Sequence, residues 1–392
     1  MEGPAQVKCA AGGARPETVA SPRAYAYGQE KASGVVNQAG MRGALPLFRP
    51  GARRLMSAAC KERVVAVPGF RGVLIAACAA AVLSAAQAVH AQDFPTRPIG
   101  IVVAFPPGGP TDFVGRLIAD KMTGLLGQRV YIENRPGANG TVGGESVAQA
   151  NPDGYSLFLT TAGAVTVSPH IMPKLPYDPL RDFAPVAEVV TNTEVLVVSP
   201  KLGIKTAGAL VALAKAKPGG VTFASTGVGS PPHLAQVLFA DSAGVKFLHV
   251  PYRGAAPALT DLLGGQVQVF GADVPAVISQ IRAGTVLPIG VAADKRNAVL
   301  PDVATLAEQG YPDTEASNWY ALLAPAKTPP AVIAKLNGAV NAALDDPQVR
   351  QKLVQSGATP AGGTPQALGM FLKSEYEKWG RVVAAHHITQ AP

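Results

Sequence analysis

The amino-acid sequence predicts an α/β fold in two domains, on three observations. Residues 99–122, IGIVVAFPPGGPTDFVGRLIADKM, read as a β-branched strand, a Pro/Gly turn and an amphipathic helix. From there to residue 161, short apolar runs alternate with helical periodicities as strand, helix, strand, helix, strand. That order implies a parallel sheet with right-handed crossovers. The strand–turn–helix unit then recurs about 120 residues later, at 221–243.

Each element has a local reason. In the first helix Phe113, Val114, Leu117, Ile118, Met122 and Leu125 share one face, and Gly127 supplies the stop. A strand at 130–133, a glycine loop with a short helix at 134–150, the NPDG turn and a strand at 155–161 follow. Residues 169–182 are proline-rich and read as irregular. Two β-branched runs, 186–190 and 195–199, precede a helix at 206–215. The second unit has its strand at 221–224, a loop at 225–230 and a helix through Ala243, with Ser230 as N-cap and Pro231 as first helical residue. Strands at 245–250, 267–270 and 287–292 alternate with helices at 257–263 and 275–282. An extended run at 316–324 then leads to helices at 329–344, 347–355 and 365–385, which are expected to pack on the first domain. The chain is expected to cross between domains near 193–199 and near 319–323, making a hinge. Domain 1 is therefore read as 92–193 plus 317–392, and domain 2 as 194–316.

The sequence of 392 residues carries a net charge of +8, which by itself would suggest a polyanion partner. Residues 1–91, however, hold eleven of the 34 Lys/Arg and four of the 26 Asp/Glu, leaving 23 and 22 for the rest. The body is nearly neutral, which argues against nucleic acid. Cys9, Cys60 and Cys78 also precede residue 92, so the body has no disulfide, no cysteine nucleophile and no cysteine metal site. Residues 72–89 are apolar, follow Lys61, Arg63 and Arg71, and close on Val89-His90-Ala91. This is the pattern of a secretory signal spanning 56–91, with Gln92 as the expected mature start. Residues 1–55 have no sustained apolar period and read as an unstructured leader. Translation is expected to begin at Met56, or else at Met41.

FPTRPI (94–99), FPPGGPTD (105–112), ENRPGANG (133–140), NPDGY (151–155), LPYDPLRDFAPV (175–186), STGVGSPPHL (225–234), VPYRGAAPALTDLLGGQV (250–267) and LPDVATLAE (300–308) occur in that order. Together they resemble the Bug-type, or tripartite tricarboxylate transporter, extracytoplasmic solute-binding proteins, over residues 94–387. The resemblance implies a type II periplasmic-binding-protein fold, two doubly wound α/β domains joined by two crossing segments. It implies a monomeric periplasmic protein without cofactor or metal that closes on a small carboxylated solute and serves membrane transporter subunits. A periplasmic ligand sensor using the same clamp is the alternative, and an enzyme ranks below both. Gly227-Val228-Gly229 lacks the remaining features of a dinucleotide motif, no GK[ST] follows a glycine run, and Ser230 is not in G-x-S-x-G.

The resemblance places one ligand loop at 105–112 and the other at 225–230. A helix N-terminus suits a carboxylate because its first N–H groups are unpaired and the dipole is positive there. The candidate contacts are Phe105, Pro106, Gly108, Gly109, Thr111 and Asp112 in the first loop, with Thr161 and Ala162 at a neighbouring strand end. Ser225, Thr226, Gly227, Gly229, Ser230 and His233 are the candidates in the second loop. Asp273 is expected at a strand end, able to pair with a ligand amino group or to cap the next helix. Within this set Asp112 is also the natural acid of its own helix start. Pro110, where the family often has a small residue, removes one donor N–H. Arg253 reads as a solvated surface residue, and His386-His387 as a poor zinc site.

Overall fold

A computed structural model describes residues 94–389, so the expectations for the leader, the signal segment and Gln92 lie outside the described residues. In chain order the elements are β1 (Ile99–Val103), α1 (Pro110–Leu126), β2 (Val130–Asn134), α2 (Thr141–Ala148), β3 (Ser156–Thr161), α3 (Ser168–Ile171), β4 (Phe183–Asn192) and β5 (Glu194–Val198). They continue as α4 (Ala207–Ala216), β6 (Thr222–Ser225), α5 (Pro231–Ala243), β7 (Leu248–Pro251), α6 (Ala255–Gly264), β8 (Val269–Asp273), α7 (Val274–Arg282) and β9 (Leu287–Ala292). The last are β10 (Asn318–Pro325), α8 (Pro330–Asp345), α9 (Pro347–Ser356), β11 (Ala358–Gly362) and α10 (Pro365–Ala385).

Two sheets result. The six-stranded one has the order β11-β4-β10-β3-β1-β2, and the five-stranded one β7-β6-β8-β5-β9. β1 pairs in parallel with β2 and β3, as the βαβ alternation requires. β10 lies antiparallel between β3 and β4, and β5 antiparallel between β8 and β9, so both sheets are mixed rather than purely parallel. Strands β1, β5, β8 and β10 are buried along their whole length, which explains why their sequences read as continuous apolar runs without alternation.

Three local expectations need correction. Phe113 and Leu125 are exposed, because the buried stripe of α1 runs through Val114, Gly115, Ile118, Ala119 and Met122. The stretch read as irregular, 169–182, opens inside α3, which continues the π turn Gly163–Val167. The interval between α9 and α10 holds β11, an edge strand antiparallel to β4, whose ATPAG sequence has too little β-branched character to announce itself. Nor does α10 pack on one sheet alone. Leu368 and Leu372 join a core cluster with Phe158, Trp319 and Leu323, while Trp379 and Val383 join one with Leu196, Phe223 and Phe239. Glu375 binds both halves, since one of its oxygens accepts from the indoles of Trp319 (3.2 Å) and Trp379 (2.9 Å).

The sheets meet at a narrow junction. One residue, Thr193, separates β4 of the first sheet from β5 of the second. The amide of Asn297 donates to both Thr193 Oγ1 and the Gly357 carbonyl, 3.2 Å each. Gly357 ends α9 at φ +91, and a Cβ there would lie 2.4 Å from Val274 Cγ1 and 3.0 Å from Val299 Cγ2. Gly357→Ala should therefore lose about 2–4 kcal/mol, combining the left-handed penalty with overpacking. Urea denaturation checks this, and a loss under about 1 kcal/mol would show that the junction is loosely packed.

Candidate functional site

Four helices begin around one cavity between the sheets. Gly109 precedes α1, Ser230 precedes α5, Gly254 precedes α6 and Asp273 precedes α7, and all four line a cavity of ≈ 30 Å³. Phe105, Pro106, Pro110, Thr111, Asn139, Thr161, Thr226, Pro231, Ala255, Ala256, Asn318 and Tyr320 complete its wall. A second hollow of ≈ 170 Å³ shares Phe105, Asn139 and Thr226 and is bordered by Gly227 and Arg253.

The donors differ from wall to wall. In α1 the first helical residue is Pro110, and the helical bonding starts with Phe113 N–H to Gly109 O (3.0 Å). Thr111 and Asp112 thus carry N–H groups without an acceptor inside the helix. The α6 start offers Ala255 and Ala256 in the same way. In α5, Pro231 and Pro232 remove two donors at once. The loop before α5 also turns inward. Gly227 N–H donates to Ser225 Oγ (3.2 Å), Gly229 N–H to His233 Nδ1 (3.1 Å), and Ser230 N–H to Gly227 O (3.2 Å).

The structure therefore separates the sequence candidates. Phe105, Pro106, Gly109, Thr111, Thr161, Thr226, Ser230 and Asp273 line the cavity, and Gly227 lines the adjoining hollow. Gly108 borders a separate groove between α1 and α7 and gives its N–H to Asp112 Oδ2 (3.0 Å). Asp112 does not face the cavity, since it also accepts from Arg116 Nε (2.9 Å) and the Asn134 amide (2.9 Å). Burial pushes its carboxyl up, but those donors outweigh burial and leave its pKa below the ordinary value. Ala162 is buried in the core with Phe158 and Trp319. Gly229 is packed against Ile171 and Val167.

Ser225 and His233 belong to a separate cluster. Ser225 Oγ lies 2.7 Å from His249 Nε2, and the His233 and His249 rings stack at 4.0 Å and 12°. Burial holds His249 down to about 4, and burial with the neighbouring His249 holds His233 down to about 3. Both imidazoles are neutral at pH 7, and their work is to brace the 225–230 loop from behind.

Sequence reasoning missed Asn139, Gly254 with the adjoining Ala255 and Ala256, and the pair Asn318 and Tyr320. Asn139 sits at φ +55 inside the ENRPGANG loop, and its side-chain amide has no hydrogen-bond partner among the described residues. It lies so close to Gly163 that a Cβ there would come within 2.5 Å of its nitrogen. Gly254 at φ +128 lets the 252–256 loop approach the opposite loop, where a Cβ would meet Pro106 Cδ at 3.2 Å. Asn318 and Tyr320 alternate on β10 and reach the cavity from its floor. The only advance signal was the glycine content of the first two, and β10 read merely as a core strand.

The floor holds the strongest electrostatic feature. Asp273 accepts from the Asn318 amide at 3.0 and 3.1 Å and from the Tyr320 hydroxyl. It occupies the N-cap position of α7, but its side chain makes no capping bond. Glu194 is its cross-strand partner and lies fully buried beside it. Burial first, and the Asp273 charge second, raise the Glu194 carboxyl well above its ordinary range. Glu194 is therefore drawn toward its protonated form.

These shifts act on stability with opposite signs. Folded Glu194 holds a proton that the unfolded chain releases above pH 4.5, so stability falls as pH rises from there. Glu194→Gln should raise Tm at pH 8 more than at pH 5, and a lower Tm at pH 8 would refute a neutral Glu194. The histidines act the other way. The unfolded chain takes up protons below pH 6.5 that the folded one refuses until about 4 or 3, so stability is lost on acidification through that window. Melting curves of His249→Gln should show a shallower loss between pH 6.5 and 4 than the parent, and an unchanged slope would rule His249 out as a source.

The family model described as "Tripartite tricarboxylate transporter family receptor" matches residues 114–388. Protein BugT of Bordetella pertussis is 40% identical over 299 residues, 76% of this chain and 92% of its own. Among solved structures, the periplasmic binding protein BugD is 33% identical with a TM-score of 0.73, covering 76% of this chain and 100% of its own. R. palustris Rpa4515 with adipate is 33% identical with a TM-score of 0.74, covering 76% and 99%. The chain belongs to the Bug-type tripartite tricarboxylate transporter receptor family, with the two-domain α/β fold of periplasmic binding proteins.

Proposed function

We propose that the protein captures a small carboxylated solute in the cavity between its two domains and delivers it to the membrane subunits of a tripartite tricarboxylate-type transporter. The observation that carries this reading is the convergence of the α1 and α6 starts, with N–H groups unpaired within their helices, on one cavity between the sheets. That a relative with 33% identity is seen with adipate supports a carboxylate as the ligand. In this reading Gly109, Thr111, Ala255 and Ala256 hold the carboxylate, with Thr161 and Thr226 supplying hydroxyls, while the Ser230 hydroxyl is held by the Gly227 carbonyl (2.7 Å). Phe105 and Pro106 close the apolar side.

Domain 1 is taken as 92–193 plus 317–392, and domain 2 as 194–316, in a type II arrangement whose pivots are Thr193 and the approach to Asn318. Ligand then shifts a hinge equilibrium, because the α1 and α6 starts, one from each domain, meet the carboxylate together only in the closed form. The protein acts as a monomer in the periplasm, after removal of a signal at 56–91.

A thermal-shift screen of residues 92–392 against small mono-, di- and aminocarboxylates tests the reading. A ligand at 100 times its Kd should add about 2.7 kcal/mol of stability. Gly109→Val places a branched side chain on the cavity wall, where an added Cβ meets only Pro106 O at 3.6 Å. It should weaken binding at least about tenfold, a loss of about 1.4 kcal/mol, while costing under about 1 kcal/mol of folding stability. Parent-like affinity in calorimetry would move the carboxylate seat elsewhere.

A further inference from the structure

The geometry points to a zwitterionic ligand, an aminocarboxylate whose ammonium group is received by Asp273 and Asn318 at the cavity floor. This deepens the proposed carboxylate capture and rests on it.

The charge census of the wall gives the first argument. Asp273 is the only acidic residue lining the cavity, and neither Lys nor Arg is among the lining residues. Arg253 borders the adjoining hollow instead. A second ligand carboxylate would therefore face Asp273 with no counterion beside it, and like charges at contact distance in a desolvated site are strongly unfavourable. A ligand ammonium at the same place gains the attraction instead.

An unused acceptor provides a second, independent argument. Asn318 is 5% exposed and gives its N–H to Asp273, but its Oδ1 has no partner among the described residues. Both Asp273 oxygens accept from the Asn318 amide, Oδ2 accepts from Tyr320 as well, and the buried Glu194 carboxyl bonds the same carboxylate from behind. The floor consequently presents an acceptor that lacks a donor. An ammonium group has three N–H bonds to give, which a plain monocarboxylate or an ionised dicarboxylate does not. Glu194 lies behind Asp273 rather than in the wall.

The test is calorimetry of residues 92–392 with matched straight-chain probes of three to six carbons. Each length is offered as the plain monocarboxylate, the 2-amino acid and the dicarboxylate. The 2-amino member of the best-binding length should bind at least about tenfold more tightly than both others, the value of one charge-assisted hydrogen bond. Asp273→Asn should erase that preference while leaving monocarboxylate affinity within about threefold. If Asp273→Asn does not fold, the wild-type ranking decides alone. A dicarboxylate or plain monocarboxylate that binds as tightly as its amino counterpart overturns this inference and leaves carboxylate capture standing. Failure of every probe would overturn both.

Discussion

Asp273 holds a negative charge at a place where neither sheet alone could keep it. A buried carboxylate needs donors to replace water, and without them its desolvation costs several kcal/mol. β8 supplies the carboxylate, and β10 of the other sheet supplies the donors, Asn318 and Tyr320. Those two residues face the same way because they are two apart on a strand. The register that puts them there is fixed by β10 lying between β3 and β4, where all eight of its residues are buried and a one-residue slip would turn Trp319 into the floor. The position of the cavity floor is thus a consequence of sheet register on one side and of one carboxylate on the other.

The same constraint explains how the rest of the site is arranged. With the floor pinned by Asp273, the starts of α1, α5, α6 and α7 arrive around it because each follows a strand, or a strand and its loop, ending at the junction. They are not equivalent walls. The α5 start has two prolines and a loop that spends its N–H groups on Ser225, His233 and Gly227, so its role is shape. The α1 and α6 starts keep their donors. The stacked His233 and His249 stiffen the α5 loop from outside the cavity, and their suppressed basicity is the mark of that burial.

Much of this was legible in the sequence, and the parts that were not share a cause. Helix limits were readable where capping chemistry is local. Gly127 adopts φ 68 after α1, Thr206 and Thr364 cap α4 and α10 with their hydroxyls, and Pro347 and Pro365 open their helices. The eight lining candidates lay in turns, at strand ends or at a helix start, where composition and position advertised them. Asn139, Gly254, Asn318 and Tyr320 depend on pairing and packing between segments far apart in sequence, for which no local pattern exists. Ser225, His233 and Gly229 show the converse. Their residue types suit a ligand loop, yet His249, two strands' breadth away in sequence, and Ile171 claim them instead. β11 escaped notice because edge pairing with β4 imposes strand geometry on a sequence with little preference for it.

A cavity of ≈ 30 Å³ has room for about two or three waters, so a larger carboxylated solute enters only if the walls part. The contacts across the cleft differ in what parting would cost. At the mouth, Pro106 meets Gly254 through van der Waals contact, which is weak atom by atom and is regained when a ligand fills the gap. At the floor, separating Asp273 from Asn318 and Tyr320 would strand a charge. The ordering of these costs sets the direction of motion in the proposed mechanism. The mouth opens first and the floor stays joined, with Thr193 and the approach to Asn318 beside it as the axis. The solute then meets an intact acceptor floor as it enters, and the α1 and α6 starts close on its carboxylate afterwards.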